Sequence, residues 1–158
     1  MTIRPFQDPD WPAVWAIFQE VVARGDTFVF AADTFEAEAK KIWTSYHAFV
    51  AEEAGEILGS SYIKPNQPGL GDHVANAGFM VASHARGKGI GRKLGEHAIE
   101  AARGLGFTAM QFNFVVSTNE SAVRLWQSLG FEIVGRVPNA FRHATLGPVD
   151  ALIMYRTL

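Results

Sequence analysis

The chain has 158 residues, of which 48% are hydrophobic and 19% charged, and it contains 12 Phe and 4 Trp. This composition is typical of a compact protein, so we expect residues 1–158 to form a single domain. Fourteen basic and sixteen acidic residues give a net charge of −2, which argues against duplex nucleic acid as the main ligand. The absence of cysteine excludes disulfides, thiolate metal sites and a cysteine nucleophile.

Targeting and metal-binding patterns are also missing. Residues 1–10 contain Arg4, Asp8 and Asp10 but no apolar core, and no apolar run reaches 18 residues. The five histidines, at positions 47, 73, 84, 97 and 143, include no pair four residues apart. We therefore expect a cytoplasmic protein without a membrane segment or a metal site.

The first half of the chain reads as a strand, two helices and a hairpin. The predicted elements are a strand at Thr2–Phe6, helices at Trp11–Gly25 and Phe35–Tyr46, and strands at His47–Glu53 and Glu56–Ile63. The loop before the second helix is unusually apolar, with Phe28 and Phe30. These two side chains are compatible with a substrate pocket, with a homodimer contact or with packing beneath the sheet edge.

The second half alternates strands and helices. The predicted elements are a strand at His73–Val81, a helix at Gly89–Arg103 with an inward row of Ile90, Leu94, Ala98, Ala101 and Leu105, and a strand at Thr108–Val116. A fourth helix, opened by the capping-box spacing of Ser117 and Glu120 and ended by Gly130, follows. Strands at Phe131–Val137 and Val149–Arg156, joined by a connector at Pro138–Pro148, close the chain. This order predicts a mixed α/β sheet in which the fourth and fifth strands are parallel.

The segment from His84 to Lys93 opens the third helix with three alternating glycines and four basic residues. Glycines at this position let backbone N–H groups approach a ligand, and the first helical turn leaves its donors unpaired. Such a terminus binds anions, phosphate above all. The alternative is that the glycines only make the turn and the basic side chains are only solvated.

Spacing excludes two common phosphate-binding motifs. A P-loop needs Gly-Lys-Ser/Thr, but Gly91 is followed by Arg92 and Lys93, so no hydroxyl is placed for Mg²⁺. The dinucleotide pattern G-x-G-x-x-G fails from Gly87 and from Gly89, and it should follow the first strand. A P-loop NTPase and a Rossmann oxidoreductase are therefore disfavoured.

The segment Arg86–Gly91 instead resembles the pyrophosphate-binding motif of the GNAT superfamily of N-acetyltransferases. The stretch Asn119–Phe131 is similar to a second signature of that family, and the order of elements agrees along nearly the whole chain. The resemblance implies a GNAT fold, with about seven strands, four flanking helices and splayed fourth and fifth strands. It also implies direct transfer of an acetyl group from acetyl-CoA to an amine, without a metal.

The resemblance assigns the cofactor contacts to a few positions. In the family the splayed strands expose backbone N–H donors for the thioester and the pantetheine. By resemblance, Met80 and Val81 occupy the positions of these donors, and Asn119 matches a residue that contacts the pantetheine. The remaining contacts, to the diphosphate, come from Arg86, Gly87, Lys88, Gly89, Gly91 and Arg92.

Trp126 departs from the family pattern. Many members have a tyrosine there, whose hydroxyl protonates the departing thiolate. An indole N–H donates hydrogen bonds but is not a usable acid. Trp126 either contacts the cofactor or packs in the core beneath it, and no general acid is assigned.

A closer resemblance, in the central and C-terminal parts, is to azetidine-2-carboxylate and hydroxyproline N-acetyltransferases. It is carried by Tyr62–Gly69, His73–Val81, Phe112–Val115 and Gly135–Ala140. By position, Asn76, Asn113 and Asn119 match asparagines that organise the site of those enzymes, and Asn76 and Asn113 are the candidates for catalysis and substrate binding. Asparagine is also uncommon inside strands, so these two either hold the substrate, satisfy backbone groups where the strands separate, or face solvent.

The sequence thus predicts N-acetylation of a small amine or imino acid resembling proline. A protein N-terminus or an amino-acid-like antibiotic is the alternative acceptor. A module that binds acetyl-CoA with little catalysis is a further alternative, in which Trp126 would reflect lost activity.

Overall fold

The computed structural model describes residues 1–158. Its seven strands are β1 (Thr2–Pro5), β2 (His47–Glu53), β3 (Glu56–Pro65), β4 (Val74–Val81), β5 (Ala109–Val116), β6 (Glu132–His143) and β7 (Gly147–Thr157). Its four helices are α1 (Trp11–Arg24), α2 (Glu36–Thr44), α3 (Ile90–Gly104) and α4 (Glu120–Ser128). The predicted number and order of the elements are confirmed.

All seven strands form one sheet in the order β1-β2-β3-β4-β5-β7-β6. Only β4 and β5 are parallel, and they pair only at Val74 with Ala109 and at Ala75 with Met110. Beyond these pairs the two strands separate, while β4 stays bonded to β3 and β5 to β7. The splayed pair predicted from the resemblance is therefore present. The space between residues 76–81 of β4 and residues 111–116 of β5 forms a gap in the sheet, referred to as the gap.

Two hydrophobic clusters cover the sheet. One contains α1 and α2 with Phe18 and Trp43 at its centre, and the other contains the later turns of α3 together with α4. The successive strand residues Tyr62 and Ile63 belong to different clusters, because neighbouring side chains of a strand point to opposite faces. No helix is long and apolar enough to cross a membrane.

The predicted inward row of α3 is correct only for its first three members. Ile90, Leu94 and Ala98 are buried, whereas Leu105 is 42% exposed. The helix ends at Gly104, so Leu105 lies beyond its last turn and leaves the buried row. Ala102, rather than Ala101, continues the row.

The predicted connector at Pro138–Pro148 is wrong, since most of it belongs to β6 and β7. Pro138 fits because β6 is an edge strand, where a missing N–H breaks no ladder bond on the outer side. The register shifts between Val137 and Phe141, and there Asn139 takes a φ of +51° while its N–H donates to Asp150 Oδ1 at 3.0 Å. A bulge thus accommodates residues that, in sequence, are typical of a loop.

Candidate functional site

The turn between β4 and α3 has a backbone that requires glycine. Gly87 and Gly89 have φ values of +75° and +78°, and Gly89 is the N-cap of α3. This left-handed region strains any residue with a Cβ. A Cβ at either position would meet no atom within 4 Å, so the turn borders open space.

The backbone donors of this turn are unpaired. The first helical hydrogen bond runs from Lys93 N–H to the carbonyl of Gly89 at 3.1 Å, and the N–H groups from Gly87 to Arg92 have no partner in the chain. A helix N-terminus carries partial positive charge and favours an anion. The turn therefore fits the diphosphate of a nucleotide coenzyme.

A groove of about 610 Å³ lies against this turn. Arg86 and Arg92 line it, and Arg86 forms no ion pair, whereas Arg92 reaches Ser128 Oγ at 2.7 Å and Glu96 at 3.5 Å. Lys88 is exposed and does not line the groove.

The backbone of β4 alternates between its two neighbours. Hydrogen bonds from Asn66 N–H to Val74 O and from Ala82 N–H to Leu58 O show that even-numbered residues bond to β3. Val81, an odd-numbered residue, turns its N–H into the gap. Met80 turns its N–H toward β3, so it gives the groove only a buried side chain, which corrects the donor role predicted for its backbone.

A second cavity, the pocket, has a volume of about 300 Å³ and is lined by 17 residues, 12 of them hydrophobic. Asn76 and Asn113 line it, as do Phe28 and Phe30 of the apolar loop. The same two phenylalanines pack against the cluster of α1 and α2. Phe28 and Phe30 thus line the pocket and also pack in the core, two placements that the sequence posed as alternatives, while their contact with substrate stays a prediction.

Asn76 and Asn113 have different partners. Asn76 Nδ2 donates to the carbonyl of Gln111 at 3.0 Å, just past the last paired residue of β5, which leaves its Oδ1 free. Asn113 Nδ2 donates to Asn66 Oδ1 at 2.6 Å, and its own Oδ1 accepts from Gln111 Nε2 at 3.0 Å. The contribution of Asn66 and Gln111 was not predicted from the sequence.

Trp126 lines the pocket rather than the groove. It is 8% exposed, and its ring lies 4.7 Å from that of Phe79 and 4.8 Å from that of Phe112. Gly95 of α3 permits this packing, because a Cβ there would lie 2.9 Å from the indole. Trp126 thus packs in the core beside residues that line both cavities, and its contact with a coenzyme stays a prediction.

The groove and the pocket meet inside the molecule. Asn119, the N-cap of α4, lines both cavities, as do Phe79, Ala122, Thr27 and Phe28. A groove with unpaired backbone donors thus adjoins a pocket without charged side chains where β4 and β5 separate. No cluster of three or more His, Cys, Asp or Glu residues suited to a metal ion is present.

Tyr62 is a pocket residue that sequence reasoning left out of the site. It lines the pocket from β3, opposite Gly78 of β4. Tyrosine is common in strands, and the glycine that makes room for it has no side chain, so neither residue stands out in the sequence. The available signal was that Tyr62 and Gly78 lie in two of the segments, Tyr62–Gly69 and His73–Val81, that carry the closer resemblance.

Comparisons with known proteins agree with this geometry. A family model described as "Acetyltransferase (GNAT) family" matches residues 11–131. "N-acetyltransferase aca1" of Schizosaccharomyces pombe is 43% identical over 98 residues, which are 61% of this chain and 47% of that protein, so the chain spans about half of this relative's length. "L-methionine sulfoximine/L-methionine sulfone acetyltransferase" of Pseudomonas paraeruginosa is 31% identical over 149 residues, 87% of this chain and 83% of that protein.

Solved structures share the whole fold. A GCN5-related N-acetyltransferase from Kribbella flavida has a TM-score of 0.95 and 45% identity, and the match covers 99% of this chain and 97% of that one. YncA from Salmonella typhimurium, described as a putative acetyltransferase with its cofactor acetyl-CoA, has a TM-score of 0.85 and 26% identity over 100% and 94% of the two chains.

Proposed function

Since the chain belongs to the GNAT acetyltransferase family, we propose that it transfers the acetyl group of acetyl-CoA to the nitrogen of a small amine or imino acid. The observation that carries this proposal is the junction of the groove with the pocket at Phe79 and Asn119. A donor in one cavity and an acceptor in the other would meet there.

The donor is assigned to the groove. The N–H groups from Gly87 to Arg92, with the guanidinium of Arg86, would hold its diphosphate. The N–H of Val81 faces the gap, where it would bind the oxygen of the thioester and stabilise the charge that develops on it. Asn119, which lines both cavities, would contact the pantetheine arm.

The acceptor is assigned to the pocket. A volume of about 300 Å³ is at the small end of ligand pockets and suits a small molecule. The relative from Pseudomonas is named for two small amino-acid derivatives, which supports an amino-acid-like acceptor. The resemblance of the Asn76 and Asn113 segments to proline-analogue acetyltransferases favours an imino acid among these.

The residues support direct transfer. The chain has no cysteine to carry the acetyl group, so the amine attacks the thioester carbon, a C–N bond forms and the C–S bond breaks. Tyr62 is the only ionisable side chain that lines the pocket, so no carboxylate or imidazole there takes the amine proton. The proton passes to solvent, and coenzyme A leaves as a thiolate because Trp126 supplies no acid.

Steady-state release of coenzyme A tests the proposal. The acceptors are azetidine-2-carboxylate, L-methionine sulfoximine and a short peptide with a free N-terminus. We expect turnover with at least one of the two small acids and none with the peptide. Turnover of the peptide alone would indicate an N-terminal acetyltransferase. Tight binding of acetyl-CoA without turnover of any amine would indicate a binding module.

The homodimer and the cytoplasmic location stay predictions. Phe28 and Phe30 pack within their own chain, so they supply no independent support for a dimer contact. Light scattering on the purified protein measures the oligomeric state directly.

A further inference from the structure

Tyr62 reaches the pocket across a glycine. Its ring lies over Gly78, the residue opposite it on β4, and a Cβ at position 78 would lie 2.3 Å from Tyr62 Cε1 and 2.9 Å from its Oη. Any larger residue at 78 would push the phenol away from this place. The glycine therefore keeps the phenol against the splayed part of β4.

The ring of Tyr62 is held in one orientation by the cluster behind it. Trp43 meets it edge-on, with 4.9 Å between the ring centroids and 89° between the planes. The indole N–H of Trp43 donates to Ser60 Oγ at 2.8 Å, and Ser60 Oγ donates to the carbonyl of Phe49 at 2.7 Å. These hydrogen bonds hold the indole of Trp43 in place. The edge-on contact with Trp43 then holds the ring of Tyr62 in its orientation.

The hydroxyl of Tyr62 makes no hydrogen bond within the chain, and it stays accessible from the pocket although the residue as a whole is only 8% exposed. An unpaired hydroxyl that faces a cavity meets a ligand or water there, since polar groups in native proteins are rarely left without a partner. Burial also raises the pKa of this phenol, which keeps it a donor near neutral pH. Its unpaired hydroxyl therefore suits a hydrogen-bond acceptor in the pocket.

A positive charge lies close to this donor. The ammonium of Lys64 is 5.6 Å from the centroid of the Tyr62 ring and forms no ion pair with any acidic residue. The pocket itself is lined by no charged side chain. Lys64 lies on β3 opposite Asn76 and outside the pocket lining, so it places a positive charge beside the side of the pocket that Tyr62 and Asn76 form.

We propose that Tyr62 positions the acceptor by donating its hydroxyl proton in a hydrogen bond to a carboxylate oxygen of that molecule. Asn76 lies two residues from Gly78 on the same face of β4, and its free Oδ1 accepts from the amine end. The two groups orient an α-amino or α-imino acid with its nitrogen toward the gap. This inference rests on the proposed function and specifies its acceptor as a carboxylic acid.

The test is Tyr62→Phe, which keeps the ring and removes only the hydroxyl. The probes are azetidine-2-carboxylate or L-methionine sulfoximine, whichever turns over faster, and the primary amide of the same acid. We expect the KM of the acid to rise about 10-fold or more, as for loss of a hydrogen bond to a charged group. The KM of the amide, whose neutral carbonyl still accepts a hydrogen bond from the phenol, should rise by a smaller factor, and the KM of acetyl-CoA and the Tm should stay near wild type. Tyr46→Phe, at an exposed position, is the matched control and should change none of them.

Two results would overturn the inference while leaving the proposed function in place. One is an unchanged KM for the acid in active Tyr62→Phe enzyme. The other is an equal loss for acid, amide and acetyl-CoA together with a lower Tm, which would show that Tyr62 only supports the fold. Inactivity of the wild-type chain toward every amine would instead overturn the proposed function and this inference with it.

Discussion

Asn76 occupies the point where the parallel ladder between β4 and β5 ends. Its amide N–H caps the carbonyl of Gln111, a backbone acceptor that the separation of the strands would otherwise leave unpaired. The same side chain lines the pocket. Asn76 therefore satisfies a backbone group and also lines the pocket, and its contact with substrate stays a prediction.

Replacement of Asn76 by alanine is expected to lower kcat by about 10- to 100-fold, or roughly 1.4–2.8 kcal/mol in the transition state. The affinity for acetyl-CoA should stay near wild type, because Asn76 does not line the groove. Steady-state kinetics with both substrates measure kcat and the two KM values, and calorimetry measures the affinity for acetyl-CoA. Gln127→Ala removes an exposed amide outside both cavities and should have no effect. Equal loss of kcat and acetyl-CoA affinity would mean that Asn76 serves the fold instead.

Polar residues of the site were predictable from sequence where their residue type is uncommon in the secondary structure that contains them. Asn76 and Asn113 attracted attention because asparagine is depleted in strands. Tyr62 did not, because tyrosine suits a strand and its unpaired hydroxyl is visible only in three dimensions. The Met80 N–H points toward β3 and not into the gap. This direction depends on the register between β4 and β3, which a single sequence does not show.

At the scale of elements, the turn before α3 has a backbone that only glycine adopts without strain, and this turn borders the groove. Gly87 and Gly89 hold left-handed conformations that leave the first turn of the helix open toward the groove. The sequence predicts this turn well because only glycine tolerates it cheaply. The connector predicted at Pro138–Pro148 was wrong because Pro and Asn are not specific to loops. They also occur at bulges of edge strands.

Substitution of Gly89 by alanine is expected to reduce the stability of the free protein by about 1–2 kcal/mol, the usual cost of a left-handed L-residue. It should also weaken acetyl-CoA binding, because relief of the strain moves the N–H donors of the first turn. Chemical denaturation and calorimetry measure the two effects. Gly104→Ala, at the other end of α3 where a Cβ meets nothing, is the control. Unchanged affinity in Gly89→Ala would argue against a diphosphate at this turn.

The N-terminal strand is tied to the turn before α1 by one ion pair. Arg4 donates to both carboxylate oxygens of Asp10 at 2.8 Å and to Glu52 at 2.7 Å. Asp10 also accepts from the N–H of Gln7 at 2.8 Å, and its side chain is only 10% exposed. The hydrogen bonds from Arg4 hold the pKa of Asp10 below its ordinary value.

A carboxylate with a lowered pKa stabilises the fold above its unfolded pKa, near 3.8, and that stability is lost as the pH falls through the folded value. We expect Asp10→Asn to reduce the free energy of unfolding by about 1–2 kcal/mol at pH 7. The difference from wild type should shrink below pH about 4. Urea titrations at both pH values measure it, with Asp8→Asn, 85% exposed, as a control without effect. A difference that is constant with pH would contradict this role of the ion pair.

At the scale of the whole molecule, the broken pairing of β4 and β5 joins the two cavities. Each strand keeps its other neighbour, so the sheet stays continuous on both sides of the gap. The fold class and the glycine turn were predictable because periodicity and spacing are local signals. The junction at Phe79 and Asn119 was not, since these residues are 40 positions apart and meet only in the folded chain.

A crystal structure of the chain with coenzyme A tests the central claim most directly. The account predicts the diphosphate on the N–H groups between Gly87 and Arg92, and the sulfur in the gap beside Val81 and Asn119. A coenzyme bound elsewhere, or one whose sulfur lies outside the gap, would contradict it.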